Sequence, residues 1–350
     1  MRNGIVDSKY IMGKLNIFIS KALLLAFPLL VFLSVYVATD PFKVIYTHHF
    51  DNYYDWQHWE INRELAGTEN LKERLAQNDV PDAYIFGNSR SLTYRCDTWE
   101  SILGDHTKPF HFDAASESLF GVYHKVKYLN EKNIKIKDVL LVCDESLLSK
   151  VDNAHDVTHI KHPDVSGESR YAFQANFIRG YFTNLFFIKH LDYLLFKKER
   201  KYMSDVFAIE PGYIFSNTYQ NDYYYHKYDG MLMKDSVAYY VFKNDVFYDR
   251  SAKPQMSEAV LKEKQIAMLQ EIKQIFDKDG TRFKIVISPL YDQKRINEAD
   301  IKLLSELFGE KNVNDYSGKN EITASKTNYY ESSHYKPYIA NKIMMEVYSR

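Results

Sequence analysis

Apolar positions along this 350-residue chain fall into two regimes. The first is a single long run near the N-terminus, residues 14–38, of which 22–38 carries no charge. Such a stretch is long enough for a helix to cross the roughly 30 Å of bilayer hydrocarbon. It predicts a membrane-spanning helix. The second regime begins near residue 80, where short apolar runs alternate with stretches of helical period, the pattern of a parallel sheet covered on both faces. Strands are predicted over 83–86, 110–112, 138–143, 283–289 and 313–316. The run 138–143 is nearly all apolar, as a central parallel strand requires. One helix is predicted over 119–129, with Leu119, Val122, Val126 and Leu129 on one side. A longer one runs over 257–278, with Ser257 as its cap and Gly280 just past its end. A third begins at Glu298 and is closed by Gly309; the last starts at Pro337, a favoured first-turn residue.

Between residues 145 and 255 the alternation stops, and this insertion reads as an aromatic helical part (171–196) followed by a β-like part (239–247). Upstream, 56–76 reads as a helix carrying Trp56 and Trp59. The predicted organisation is a cytoplasmic N-terminus (1–13), a transmembrane anchor (14–38), a stalk or N-terminal helix (39–79), and a domain over 80–350 interrupted by the insertion 145–255. The expected fold is α/β: a five-stranded, mostly parallel, flavodoxin-like sheet in a three-layer α/β/α arrangement behind an N-terminal transmembrane helix.

Charge orients this picture. Arg2, Lys9, Lys14 and Lys21 precede the apolar run and Asp40 follows it, which keeps the N-terminus in the cytoplasm. Tyr36 before Ala38 is wrong for a signal-peptidase site, so the reading is an uncleaved single-pass anchor in a bacterial inner membrane, with everything after Thr39 extracytoplasmic. A formal charge of −1 offers no large single-sign field, which argues against a nucleic-acid partner. The two cysteines, Cys96 and Cys143, read as structural thiols, although an extracytoplasmic pair can in principle be oxidised. The 29 tyrosines read first as aromatic faces of the fold and second as sugar-stacking surfaces.

Ligands of an open parallel sheet bind beyond the carboxyl ends of its strands. That rule selects Ser89, residues 113–118, Asp144 and Glu145, Ser288, and the pair Glu331/His334. A serine hydroxyl becomes a nucleophile when a base takes its proton, and the base works best when a carboxylate orients it. The chain holds all three in the order Ser89, Glu331, His334, with Glu331 three residues before His334. Each piece has a plainer reading. Gly87-Asn88-Ser89 is ordinary turn chemistry, and Glu331-x-x-His334 can simply precede the final helix. A second group of ligand-type residues, Asp152, His155, Asp156, His159 and His162, lacks a clear fourth zinc ligand and reads as a solvated lid; no metal is predicted. No glycine-rich phosphate loop follows a strand, so no cofactor is predicted either.

These residues resemble the SGNH (GDSL-like) hydrolases, specifically their membrane-anchored branch linked to polysaccharide and teichoic-acid acylation. Gly87-Asn88-Ser89 stands where that family carries Gly-Asp-Ser, and Glu331-x-x-His334 where it carries Asp-x-x-His. Residues 112–121 are similar to its second block and 141–146 fall where its third would be. The resemblance implies Ser89 as nucleophile, His334 as base and Glu331 as its orienting acid. It also implies an oxyanion hole, for which this chain offers Asn88, Ser116, Ser118 and Asp144. Where the family has a glycine the chain has Ala115 or Ser116, and where it has an asparagine side chain the chain has Asp144 or Glu145. The implied function is a serine esterase or O-acyltransferase acting on an envelope carbohydrate polymer through an acyl-enzyme on Ser89, alongside a membrane-embedded acyl-donor protein. The alternative keeps the fold without the chemistry: a non-catalytic SGNH-like envelope protein in a polysaccharide assembly or modification complex.

Overall fold

The computed structural model describes residues 3–48, 50, 62–104, 106–203, 214–217, 219–224 and 226–349. Five strands form one sheet: β1 (Ala83–Gly87), β2 (Pro109–His111), β3 (Asp138–Cys143), β4 (Arg282–Ile287) and β5 (Val313–Asp315), in the order β2-β1-β3-β4-β5. Every pairing is parallel, not mostly so. The register sets Gly87 opposite Val142, Cys143 opposite Ile287, and Ile287 opposite Asp315. The carboxyl ends of β1, β3, β4 and β5 therefore finish nearly level and open one rim.

Alternation along the strands divides the core. Tyr84, Phe86, Val139, Leu141, Ile285 and Ile287 pack into one cluster with the helices Leu119–Glu131, Glu263–Asp279 and Glu298–Phe308. Ala83, Ile85, Leu140, Val142 and Val286 face the other way, against Cys96–Leu103 and Pro337–Tyr348. A strand wet on one face would alternate apolar with polar; β3 is buried at all six positions. Cys96 and Cys143 belong to opposite clusters and are free, buried thiols, so they do not bridge.

Three predicted boundaries move. Residues 239–247 do not form strand: a helix, Ser236–Phe242, starts where the Asp235 side chain accepts from Ala238 N at 2.9 Å. The capping carboxylate, together with burial of Tyr239, overrides the β preference of Tyr-Tyr-Val-Phe. The long helix begins at Glu263, behind Lys262, and not at Ser257. Ser257 Oγ instead accepts from Asn297 N at 3.1 Å, tying the approach to the neighbouring helix. The helix predicted over 56–76 is seen as Arg63–Ala76, capped by Asn62; Trp56 and Trp59 lie outside the described residues. The aromatic part of the insertion is two helices, Arg170–Phe182 and Phe186–Phe196, broken where Asn184 and Leu185 take positive φ of 50° and 58°.

The N-terminal helix runs Asn3–Thr39, and its segment Tyr10–Thr39 is long and apolar enough to cross a membrane. At its end the chain turns sharply. Asp40, φ 41°, accepts from the amides of Val44, Ile45 and Tyr46 at 2.8, 2.9 and 3.0 Å and pairs with His48 at 2.8 Å. Beside this turn Tyr36 and Phe42 pack into one aromatic cluster with Phe173, Phe177, Tyr181 and Phe186 of the insertion.

Candidate active site

β1 ends in a turn that only glycine permits. A Cβ on Gly87 would sit 2.5 Å from the Val142 carbonyl oxygen and 2.8 Å from Ser91 Cβ, so the strand can swing into the turn only without a side chain there. The next residues close it: Ser91 N donates to Asn88 O at 2.8 Å, and Asn88 Oδ1 accepts from Arg90 N at 3.2 Å. Ser89 is left half-buried at the apex, on the rim.

The opposing loop is held by tyrosines. Tyr329 and Tyr335 form an antiparallel bridge, and Tyr330 N donates to His334 O at 2.8 Å. Tyr329 Oη donates to Pro289 O at 2.9 Å, and Tyr239 Oη, from the insertion, to Tyr330 O at 2.6 Å. This clamp brings Glu331 and His334 against Ser89, 245 residues earlier in sequence. Ser89 Oγ lies 2.7 Å from His334 Nε2, and His334 Nδ1 is hydrogen-bonded to Glu331 Oε1. The other Glu331 oxygen accepts from Ser333 N at 2.9 Å. A carboxylate on Nδ1 assigns the ring proton to that nitrogen and leaves the Nε2 lone pair for the serine hydroxyl, which donates to it. Burial acts to raise the Glu331 carboxyl, but the hydrogen bonds from His334 and from the backbone outweigh it and hold the group below its ordinary value. The imidazole thus sits against a standing negative charge.

The proposed oxyanion donors are placed differently from one another. Asn88 is buried and its Nδ2 already donates to Asp144 Oδ2 at 2.8 Å. Asp144 caps the helix Glu145–Ser149 through Leu147 N at 2.9 Å and pairs with Arg90 Nη1 at 3.1 Å. With three donors on it, this carboxylate accepts and has no proton to give. Ser118 caps Leu119–Glu131, accepting from Gly121 N at 3.1 Å. Ser116 is exposed, with φ 50°. Among the described residues the amides of Ser89, Ala115 and Ser116 donate to no protein acceptor, and the loop bearing the last two is anchored to the nucleophile turn by Ala114 N to Gly87 O at 3.2 Å. Backbone amides are the donors this rim has to spare. Ser288 is buried under the clamp, 3.3 Å from Tyr335 Oη.

The insertion's ligand-type residues disperse. His159 Nδ1 faces Asp156 at 2.7 Å, whereas His162 turns to Glu69 at 3.1 Å. A different trio, Cys96, His111 and Asp222, brings its ligand atoms within 4.8 Å in a buried place. Burial, and then the Asp222 carboxylate, push the Cys96 thiol well above its ordinary value. Cys96 N donates to Asp222 at 2.9 Å and His111 Nδ1 lies 3.0 Å from the same carboxylate, so hydrogen bonds already account for the trio.

Several pairings that shape this rim carry no sequence signal. Asp113, just beyond β2, takes the guanidinium of Arg63 at 2.5 Å and the Ser91 hydroxyl at 3.0 Å, all buried. Beneath the same loop Lys125 and Lys161 interleave with Glu64 and Glu117, with Lys125–Glu64 at 2.8 Å and Lys161–Glu117 at 2.7 Å. The pairs lie too far apart in sequence for any local pattern to announce them. Arg90 is adjacent to Ser89, but nothing in the sequence announces its partner Asp144. No family model, curated protein or solved structure matches this chain.

Proposed function

We propose that this protein is a membrane-anchored, extracytoplasmic serine esterase or O-acyltransferase of SGNH type, acting on an envelope carbohydrate polymer. One observation carries the reading: the Ser89 hydroxyl on His334 Nε2 at 2.7 Å, with Glu331 on the opposite ring nitrogen. Ser89 Oγ attacks the ester carbonyl carbon as its proton passes to His334 Nε2. The tetrahedral adduct collapses, expelling the alcohol, which takes that proton from the imidazolium. An acceptor hydroxyl, from sugar or water, then repeats the steps in reverse and frees Ser89. Amides at Ser89 and in the loop 115–116 meet the developing oxyanion in place of the asparagine the family would use. The sheet order is read as a flavodoxin-like, three-layer α/β/α domain. The N-terminal helix is read as a single-pass anchor in a bacterial inner membrane, beside a membrane-embedded acyl-donor protein.

The test is covalent. The full chain in detergent is treated with a serine-reactive fluorophosphonate, digested and mapped by mass spectrometry. An adduct on Ser89 that Ser89→Ala loses is the expected result. A folded protein with no adduct at Ser89 leaves the non-catalytic envelope-protein reading.

A further inference from the structure

The apolar N-terminal helix does not leave the domain at the membrane surface. Lys21 is the last charged residue before Asp40, and the 18 residues between them, 22–39, are uncharged. At 1.5 Å each they span about 27 Å, close to the roughly 30 Å of bilayer hydrocarbon. A spanning helix therefore has to place all of them, Phe32 and Tyr36 included, within or at the edge of the acyl chains. Phe32 lies seven residues, about 10 Å, below the Thr39 end. Its ring meets Phe187 of the insertion edge-on, with centroids 4.6 Å apart, and Tyr36 packs 5.0 Å from Tyr181. A side chain touching Phe32 shares its depth, so the helix Phe186–Phe196 begins below the membrane surface.

The rest of that segment suits the same medium. Leu185, at the N-cap, and Ile188, Leu195 and Phe196 are 57, 43, 67 and 63 % exposed, and Ile188 and Leu195 share one outward face at i, i+7. Lys189 and His190 are buried, His190 Nδ1 lying 3.2 Å from Tyr181 Oη. The acid in the helix is neutralised: Asp192 pairs with Arg200 at 2.8 Å. Directly after the helix come Lys197, Lys198, Arg200 and Lys201, all exposed, with the single acid Glu199 among them. An apolar face followed by a basic run is the composition of a helix that lies in a bilayer interface.

We propose that residues 185–201 are a second membrane element. The apolar side enters the outer leaflet beside the spanning helix, and the basic run sits among anionic phospholipid headgroups. The proposal rests on the N-terminal helix spanning the same bilayer. Continuity of the exposed apolar side with that helix, through Phe187 and Phe32, selects lipid as the occupant.

The test uses the full chain in nanodiscs of phosphatidylcholine and phosphatidylglycerol with brominated acyl chains. An environment-sensitive fluorophore is attached at Ile188→Cys or Leu195→Cys, with Leu25→Cys as the spanning control and Lys302→Cys as the aqueous one; Cys96 and Cys143 are buried. All four sites are solvent-facing on the protein, so labelling leaves the fold intact. The expected result is bromolipid quenching at 188 and 195 comparable to that at 25, with none at 302. Quenching at 25 but not at 188 or 195 overturns the proposal and leaves the anchor standing. An unquenched label at 25 removes the spanning helix and the proposal with it. Labels at 188 and 195 that are aqueous in nanodiscs yet shielded in native membranes also overturn it, in favour of a protein partner.

Discussion

Two serine–histidine–carboxylate sets lie two residues apart in this chain. In one, Ser89 meets His334 at 2.7 Å and Glu331 orients the ring; the imidazole and carboxylate side chains are 21 % and 16 % exposed. In the other, His111 lies between Ser91 and Asp222, at 3.4 Å from Ser91 Oγ and 3.0 Å from the carboxylate, and all three are buried. The residue types match; what differs is where the protons already go. Ser91 donates into Asn88 O at 2.7 Å and Asp113 at 3.0 Å, so its hydrogen is committed to stronger acceptors than the imidazole. Among the described residues the Ser89 hydroxyl bonds to the imidazole alone, and Ser89 is partly exposed. A triad of the right residue types is a site only when the nucleophile's proton is uncommitted and a substrate can arrive.

The widest separation between the two sets should come from Ser89→Ala and His334→Ala. Each should lower ester turnover by up to about 10⁶, the double variant should lose no more than either, and Tm should stay near wild type. Ser91→Ala measured beside them should keep its phosphonate reactivity. Equal losses at Ser89 and Ser91 would erase the distinction. Glu331→Gln should be milder, about 10⁴ in kcat, because it keeps the shape but loses the charge and the tautomer.

For the buried set the loss should appear in folding. Arg63→Met strands Asp113 without its guanidinium, and breaking such a pair costs roughly 3–5 kcal/mol; thermal melts of the detergent-solubilised chain should drop while the folded fraction still labels at Ser89. Ser91→Ala, which takes a hydroxyl donor from the buried Asp113 carboxylate, should cost about 1–3 kcal/mol by the same assay. A melt unchanged in Arg63→Met would show the buried set to be dispensable.

The smallest effect is a pH dependence. Because Glu331 is held below its ordinary value, its ionised form stabilises the fold above the unfolded value of about 4.3. That contribution is lost as pH falls through the lower folded value. The stability gap between wild type and Glu331→Gln should therefore be full near neutral pH and shrink on acidification below about 4. A gap that widens on acidification would mean the carboxyl is protonated in the fold.

The sheet was readable where its strands are buried: β3 is buried throughout and β4 over Ile285–Ile287, and the helices Glu298–Phe308 and Pro337–Tyr348 start at Glu298 and at Pro337. Ser89, Glu331 and His334 were readable because strand ends and short spacings announce them. Tyr239 was misread because its aromatic run carries strand preference, while the cap at Asp235 and the bond to Tyr330 O decide otherwise. The Arg63–Asp113 pair and the Lys125–Lys161–Glu64–Glu117 group were invisible for a different reason. Each charge looks like ordinary surface until the fold buries it against a partner far along the chain. Of the tyrosines, read first as aromatic faces of the fold, Tyr239, Tyr329, Tyr330 and Tyr335 lock the loop that carries Glu331 and His334.

Asp40 has a mechanical consequence. Its carboxylate gathers three successive amides and His48 directly after the apolar helix, while Tyr36 and Phe42 are wedged into the insertion. The anchor is thus welded to the body where a glycine–serine tether would swivel. If the apolar helix spans a bilayer as proposed, a swivelling body would sweep a hemisphere, whereas a welded one would hold Ser89 at one altitude above it. Under the proposed function, polymer passing it would be modified only in the stretch that crosses that altitude, which would make the protein a fixed gauge. Lengthening the joint with flexible residues after Asp40 should broaden which stretch is reached while leaving turnover of a small soluble ester unchanged.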